Sequence, residues 1–128
     1  MRFLLDTHFL VWIPIDDRHL SSAARELLAD PANEFVFSAV NLWEMALKRI
    51  RQVNDFPYDP RAIRKRMIAS GYEELPMTGE HALHVDTLPP IHKDPFDRLL
   101  IAQAMVEGIT LLTADETIAR YPGPIRKV

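Results

Sequence analysis

The sequence predicts a three-layer α/β/α fold with a mainly parallel central sheet. Short apolar runs at residues 3–5, 35–37 and 109–112 have the length and continuity of strands that are buried on both faces. Segments with helical spacing of apolar residues lie between these runs, and the alternation of strands with helices favours parallel pairing. The 128 residues suffice for one domain with a substantial core, so a single domain over residues 1–128 is expected.

Composition narrows the class of protein and the kind of site. Hydrophobic residues make up 48% of the chain and charged residues 26%, as in soluble globular proteins. The sequence contains no apolar run as long as a membrane span and no signal-peptide pattern, which favours a cytoplasmic protein without membrane association. The absence of cysteine excludes disulfides and thiolate metal sites, and leaves carboxylate or histidine sites that suit Mg²⁺ or Mn²⁺.

In the first third of the chain, two predicted strands each end on a polar residue. The strand at residues 2–5 runs directly into Asp6, and a helix over residues 8–13 follows it. A second helix separates these elements from the strand at residues 34–38. Because open α/β sheets bind ligands at the carboxyl ends of their strands, Asp6 is expected at a functional edge.

Two Asp-Pro pairs, at residues 59–60 and 94–95, mark helix starts in the rest of the chain. Each pair supplies a capping side chain followed by proline at the first helical position. The pairs predict a basic helix that ends at residues 70–71 and an apolar helix over residues 96–107, which Gly108 ends.

The remaining predicted elements are shorter. A helix opened by Asn41 would carry Glu44 in capping-box spacing, and a loop at residues 54–59 follows it. Residues 74–76 have the composition of a third strand, and residues 125–127 that of an edge strand.

Charge is unevenly distributed along the chain. Residues 48–66 contain seven basic and two acidic residues, whereas the whole chain has a net charge of −3. Two interpretations fit this asymmetry: a phosphate-facing surface beside an acidic site, or the solvated face of a helix.

Four acidic residues occupy strand ends or helix starts, namely Asp6, Glu44, Asp97 and Asp115. Each has a structural explanation, as a helix cap or as a favourable charge in a first helical turn. As a set, however, they should all lie at one edge of a parallel sheet, where they would repel one another and raise their pKa values. Divalent cations between them would relieve this repulsion and promote phosphodiester cleavage.

These acids belong to a series of short motifs that resembles the PIN domain, specifically the VapC-type toxins of bacterial and archaeal toxin–antitoxin pairs. The motifs are Leu4-Leu5-Asp6-Thr7-His8, Ser38-Ala39-Val40-Asn41-Leu42-Trp43-Glu44, Asp94-Pro95-Phe96-Asp97-Arg98-Leu99-Leu100-Ile101-Ala102-Gln103-Ala104 and Leu111-Leu112-Thr113-Ala114-Asp115. Each motif is weak alone, but the ordered set spans nearly the whole chain. The resemblance implies a single PIN-like domain.

The resemblance further implies a Mg²⁺- or Mn²⁺-dependent endoribonuclease, usually dimeric and silenced by a cognate antitoxin. It maps the metal-binding catalytic acids onto Asp6, Glu44, Asp97 and Asp115, and metal-proximal hydroxyls onto Thr7, Ser38 and Thr113. Asp94 remains a substitute ligand for Asp97, although Asp94 has the stronger capping role. Basic residues beside the motifs that would contact substrate phosphates, or else be ordinary surface charges, are Arg98, Lys48 and Arg49.

Two other functions fit parts of the sequence. A PIN-like module could bind RNA or a protein without cleavage, but the retention of all four acids disfavours this function. A phospho-accepting receiver-like domain would have paired acids after its first strand, where Asp6 stands alone.

Several further residues have structural and functional interpretations. His81, His84 and His92 lack the spacing of a closed zinc site. Trp43 is expected to pack in the core rather than to stack on bases. The apolar residues 9–13 could pack in the core or form a dimer or antitoxin interface.

Overall fold

A parallel β-sheet forms the centre of the molecule. The computed structural model describes residues 1–51 and 57–128. The strands in this part of the chain are β1 (Arg2–Leu5), β2 (Glu34–Ser38), β3 (Glu73–Leu75), β4 (Thr110–Thr113) and β5 (Ile125–Lys127). They lie in the order β3-β2-β1-β4-β5, and each neighbouring pair is parallel. The predicted parallel α/β class is therefore confirmed.

Helices connect these strands. They are α1 (Thr7–Trp12), α2 (Ser22–Ala29), α3 (Ala39–Arg51), α4 (Pro60–Ala69), α5 (Gly79–His84), α6 (Pro95–Glu107) and α7 (Glu116–Ala119). Short 3-10 turns lie at Asp17–His19 and Val85–Thr87. In the described part of the chain, no helix is long and apolar enough to span a bilayer.

Both Asp-Pro pairs start helices as predicted. Asp59 caps α4 by accepting from the backbone N–H of Arg61, and Asp94 caps α6 by accepting from the N–H groups of Phe96 and Asp97. Residues 54–56 of the loop predicted at residues 54–59 lie outside the described residues, whereas residues 57–59 lie in neither a helix nor a strand, as predicted.

Apolar side chains of the strands alternate between the two faces of the sheet and pack under helices on both sides. Phe3 and Leu5 of β1 join Met45 of α3 in one buried cluster. Leu4 points to the opposite face and joins Leu100 of α6 in a second cluster. Because removing such side chains from water stabilises a fold by about 1.5–3 kcal/mol each, both helical layers are held firmly on the sheet. The result is the predicted three-layer architecture.

Strands β1 and β4 are paired up to the carboxyl edge of the sheet. Leu5 is paired with Leu112, and the backbone N–H of Asp6 donates to the carbonyl of Leu112 at 3.1 Å. Asp6, which follows β1, and Thr113, the last residue of β4, therefore meet at one edge.

Gly108 ends α6 in the left-handed conformation, with φ 67° and ψ 33°. We expect Gly108→Ala to lower the free energy of unfolding by about 1 kcal/mol, because a side chain disfavours this backbone conformation. The added Cβ would meet no atom within 4 Å, so a clash does not contribute. Urea unfolding measures the effect. Gly79→Ala is the matched control, since its Cβ is equally free and Gly79 lacks a positive φ; equal losses in both variants would contradict the conformational argument.

Candidate metal centre

Asp6 and Thr113 form the first part of the acidic site. Asp6 Oδ1 accepts from the backbone N–H of His8 at 2.9 Å, which caps α1, and Asp6 Oδ2 accepts from the Thr113 hydroxyl at 2.6 Å. Burial opposes ionisation of Asp6, but the hydrogen bonds from His8 and Thr113 outweigh it and lower the pKa of this carboxyl. Asp6 is thus held ionised in a fixed orientation.

Glu44 is held by Thr7 of α1 and Lys48 of α3. Its Oε1 accepts from the Thr7 hydroxyl at 2.8 Å, and its Oε2 lies 2.8 Å from Lys48 Nζ. Asn41 donates to the Thr7 oxygen at 2.9 Å and to the carbonyl of Leu5 at 3.2 Å. A buried amide and a hydroxyl therefore orient this carboxylate.

The predicted capping box of Asn41 and Glu44 is wrong. Helix α3 begins at Ala39, two residues before Asn41, and the Ser38 hydroxyl accepts from the backbone N–H of Val40 at 2.9 Å. Asn41 instead accepts from the N–H of Ser38 and reaches across to β1. The capping explanation for Glu44 is thereby removed.

Asp97 lies in a buried environment with several acidic neighbours. Its pKa is raised to about 8, first by burial and then by nearby negative charge. The carboxylates that contribute are those of Asp94, Asp6, Glu44 and Asp115. The structure thus brings the four acids predicted from the sequence into one electrostatic neighbourhood, with Asp94 as a fifth member.

Asp94 and Asp115 both act as helix caps. Asp94 Oδ1 accepts from the first turn of α6, while Asp115 Oδ1 accepts from the N–H groups of Thr117 and Ile118 at 2.7 and 3.1 Å. Capping engages one oxygen of each carboxylate and leaves the other available for a cation.

His92 lies at the site although its sequence context did not predict this position. Its Nε2 is 3.0 Å from Asp97 Oδ2, and potential ligand atoms of His92, Asp94 and Asp97 all lie within 4.8 Å of one another. The Tyr121 hydroxyl accepts from the N–H of His92 at 2.6 Å and fixes this segment. The sequence feature that could have indicated this position is a histidine two residues before the Asp-Pro pair that starts a helix.

Among the described residues, the side chain of Ser38 pairs with Gln103 rather than with a carboxylate. Its hydroxyl donates to Gln103 Oε1 at 2.6 Å in the fully buried interior. The hydroxyls of Thr7 and Thr113 donate to carboxylates of the site, whereas that of Ser38 donates to an amide, so the metal-proximal role of Ser38 stays a prediction.

The three basic residues proposed for phosphate contact have different partners. Arg98 donates to the carbonyls of Val85, Leu88 and Pro89 and to the Tyr121 hydroxyl, at 2.8–3.3 Å. These bonds engage both terminal nitrogens of its guanidinium, so the predicted substrate contact by Arg98 is replaced by a structural role. Lys48 pairs with Glu44, whereas Arg49 pairs with Asp59 at 2.8 Å.

A family model described as PIN domain matches residues 3–124. No curated protein matches the sequence significantly.

The chain is similar to several solved structures. VapBC2 from Rickettsia felis, bound to a DNA fragment from its promoter, has 17% identity and a TM-score of 0.72, with 99% of this chain and 98% of that chain covered. DNA-bound VapBC from Salmonella typhimurium has 18% identity and a TM-score of 0.65, with the same coverage. A toxin–antitoxin complex from Klebsiella pneumoniae has 19% identity and a TM-score of 0.61, with 98% of each chain covered. At these identities, the likeness establishes the fold.

Proposed function

Because the chain belongs to the PIN domain family, we propose that it is a divalent-cation-dependent endoribonuclease and the toxin of a toxin–antitoxin pair. The observation that carries this proposal is the convergence of carboxylates around the buried Asp97, where burial first and the neighbouring negative charges second raise the pKa of its carboxyl to about 8. A cluster of this kind is unfavourable without cations and favours their binding.

The donor set fits a hard divalent cation. Four carboxylates would hold it, those of Asp6, Glu44, Asp97 and Asp115, and Asp94 offers a further oxygen. Carboxylate oxygens suit Mg²⁺ and Mn²⁺, and His92 adds one imidazole nitrogen within 4.8 Å of ligand atoms of Asp94 and Asp97. Such a cation, when bound, supplies Lewis-acid activation of water and stabilises negative charge at the scissile phosphate.

The protein's own residues prepare the site for this chemistry. Thr7 and Thr113 fix the orientations of Glu44 and Asp6 by hydrogen bonds of 2.8 and 2.6 Å. Lys48 places a positive charge against Glu44 at the side of the cluster. We propose that Lys48 exchanges this contact for a substrate phosphate when cations neutralise the acids, as charge balance favours.

We further propose a cognate antitoxin as partner, because the similar chains occur in toxin–antitoxin complexes. The assembly would be a homodimer or a toxin–antitoxin hetero-oligomer, and RNA would be the substrate. A cytoplasmic location is proposed in keeping with the absence of cysteine.

Cleavage of a mixed cellular RNA pool by the purified protein tests the function. We expect cleavage with Mg²⁺ or Mn²⁺, none with EDTA, and none with Asp6→Asn under any condition, because that change removes a charged donor from the site. The variant prepared in parallel also controls for contaminating nucleases.

The outcomes separate the possible functions. Cleavage by the wild-type protein in EDTA would contradict cation dependence. A folded wild-type protein that binds RNA but cleaves none of the pool with either metal would instead favour a binding module without nuclease activity.

A further inference from the structure

An open cleft of about 620 Å³ lies beside the acidic site, between α3 and the first turn of α6. Trp43 and Phe96 form its aromatic wall, with ring centroids 4.9 Å apart in an edge-to-face arrangement. Trp43 is 49% exposed, which corrects its expected place in the core. An exposed tryptophan ring at a cleft is a surface on which a planar ligand can stack.

The rim of this cleft is cationic. It carries Lys48, Arg51 and Lys93. Lys48 pairs with Glu44, whereas Arg51 and Lys93 have no acidic partner within residues 1–51 and 57–128. Cations beside an exposed aromatic ring match the two parts of a nucleotide, its phosphate and its base.

The cleft is continuous with the acidic site. Glu44 and Asp94 line it, and Asp94 also belongs to the group of ligand atoms that includes Asp97. A strand of RNA with its scissile phosphate at the acids would therefore place a neighbouring nucleotide at the cleft. The volume lies within the range of about 300–1,000 Å³ that is typical of small-ligand sites.

We propose that this cleft binds the nucleotide next to the scissile phosphate of single-stranded RNA, with its base stacked on Trp43. The proposal rests on the nuclease function and names a substrate subsite for it. Stacking on an aromatic side chain accepts any base, so the subsite would add affinity with little sequence preference. A protein partner fits less well, because the cores of protein interfaces are depleted in charged residues and this cleft contains five.

Fluorescence of Trp43 provides a direct test. The chain has two tryptophans, so Trp12→Phe leaves Trp43 as the sole reporter. We would add Asp6→Asn to prevent cleavage, titrate single-stranded oligouridine and oligoadenosine, and check on gels that the RNA stays intact. Binding should quench Trp43 emission with both oligomers.

Affinity is measured by anisotropy of labelled oligomers in the Asp6→Asn background. Trp43→Ala should weaken binding by about 5- to 100-fold, whereas Trp43→Phe should retain most of the affinity. Lys93→Ala should weaken binding less and reduce its dependence on salt. Ile50→Ala is the control, since Ile50 is a 76% exposed apolar residue of the same helix that does not line the cleft.

Unchanged affinity of Trp43→Ala, unchanged emission at saturating RNA, or no RNA binding at all would overturn the proposal. A Trp43→Ala protein with altered sedimentation but normal RNA affinity would also overturn it, because the cleft would then be a protein interface. RNA that binds at Trp43 but is never cleaved by the wild-type protein would support the subsite and reject the nuclease function.

Discussion

Replacing Asp97 with asparagine should raise the thermal stability of the metal-free protein at pH 8 and lower RNA cleavage by about 100-fold or more. The loss of cleavage follows from removing a proposed cation ligand, since even residues that only orient ligands contribute about 10- to 100-fold. The gain in stability follows from removing a buried charge that four other carboxylates repel. Opposite effects on stability and activity are typical of strained functional sites.

The pH dependence of this gain has a defined sign. The pKa of Asp97 is about 8 in the folded protein, against an ordinary value of 3.8. Between these values the folded protein holds a proton that the unfolded chain has released, so wild-type stability falls as pH rises. The pKa of Asp6 is shifted downward, so its contribution to stability is lost only as pH falls below 3.8, outside this window.

Thermal unfolding at about pH 5 and about pH 8 in EDTA measures the effect. The stabilisation by Asp97→Asn should be larger at the higher pH, and added Mg²⁺ should reduce it by stabilising the wild-type protein selectively. Asp86→Asn, at an exposed position, is the control. An equal stabilisation at both pH values, or a less stable variant, would show that ionisation of Asp97 does not oppose folding as its raised pKa indicates.

Local sequence sufficed to predict the carboxyl edge of the sheet. An apolar run that ends in Asp6 identifies both the strand and the residue at its end, and the same holds for Thr113. Parallel strands then place these ends side by side, which the 2.6 Å contact between Asp6 and Thr113 confirms.

Predictions from local sequence were wrong where a side chain forms its hydrogen bonds with residues that are distant in the chain. Asn41 has the spacing of a helix cap, but its partners Leu5 and Thr7 lie 36 and 34 positions away in the chain. Tertiary hydrogen bonds therefore decided the start of α3. The hydroxyl of Ser38 likewise has a distant partner, Gln103, 65 positions away.

Local sequence patterns also did not predict which helix residues are exposed to solvent. Trp43 precedes two buried residues of α3, yet it lies on the rim of a cleft that only the packing of α6 creates. His92 reaches Asp97 because Tyr121 fixes its backbone from a segment 29 positions away. Both features depend on where separate elements meet.

Arg98→Met should be strongly destabilising. The guanidinium of Arg98 binds three carbonyls of residues 85–89 and the Tyr121 hydroxyl, which also holds the backbone of His92. Methionine fills similar space but leaves these acceptors unpaired, and each charged hydrogen bond contributes about 1.5–3 kcal/mol. We expect a loss of about 3 kcal/mol or more in the free energy of unfolding, measured by urea titration.

This experiment separates a structural role for Arg98 from a substrate contact. Arg49→Met is the matched control, because Arg49 makes a partly exposed ion pair with Asp59 and should contribute less than about 1 kcal/mol. Normal stability of Arg98→Met with a raised KM for RNA would restore the phosphate-contact role. A large loss of stability, together with weaker Mn²⁺ binding at low temperature where the variant is still folded, would show that Arg98 supports the cation site through the segment that carries His92.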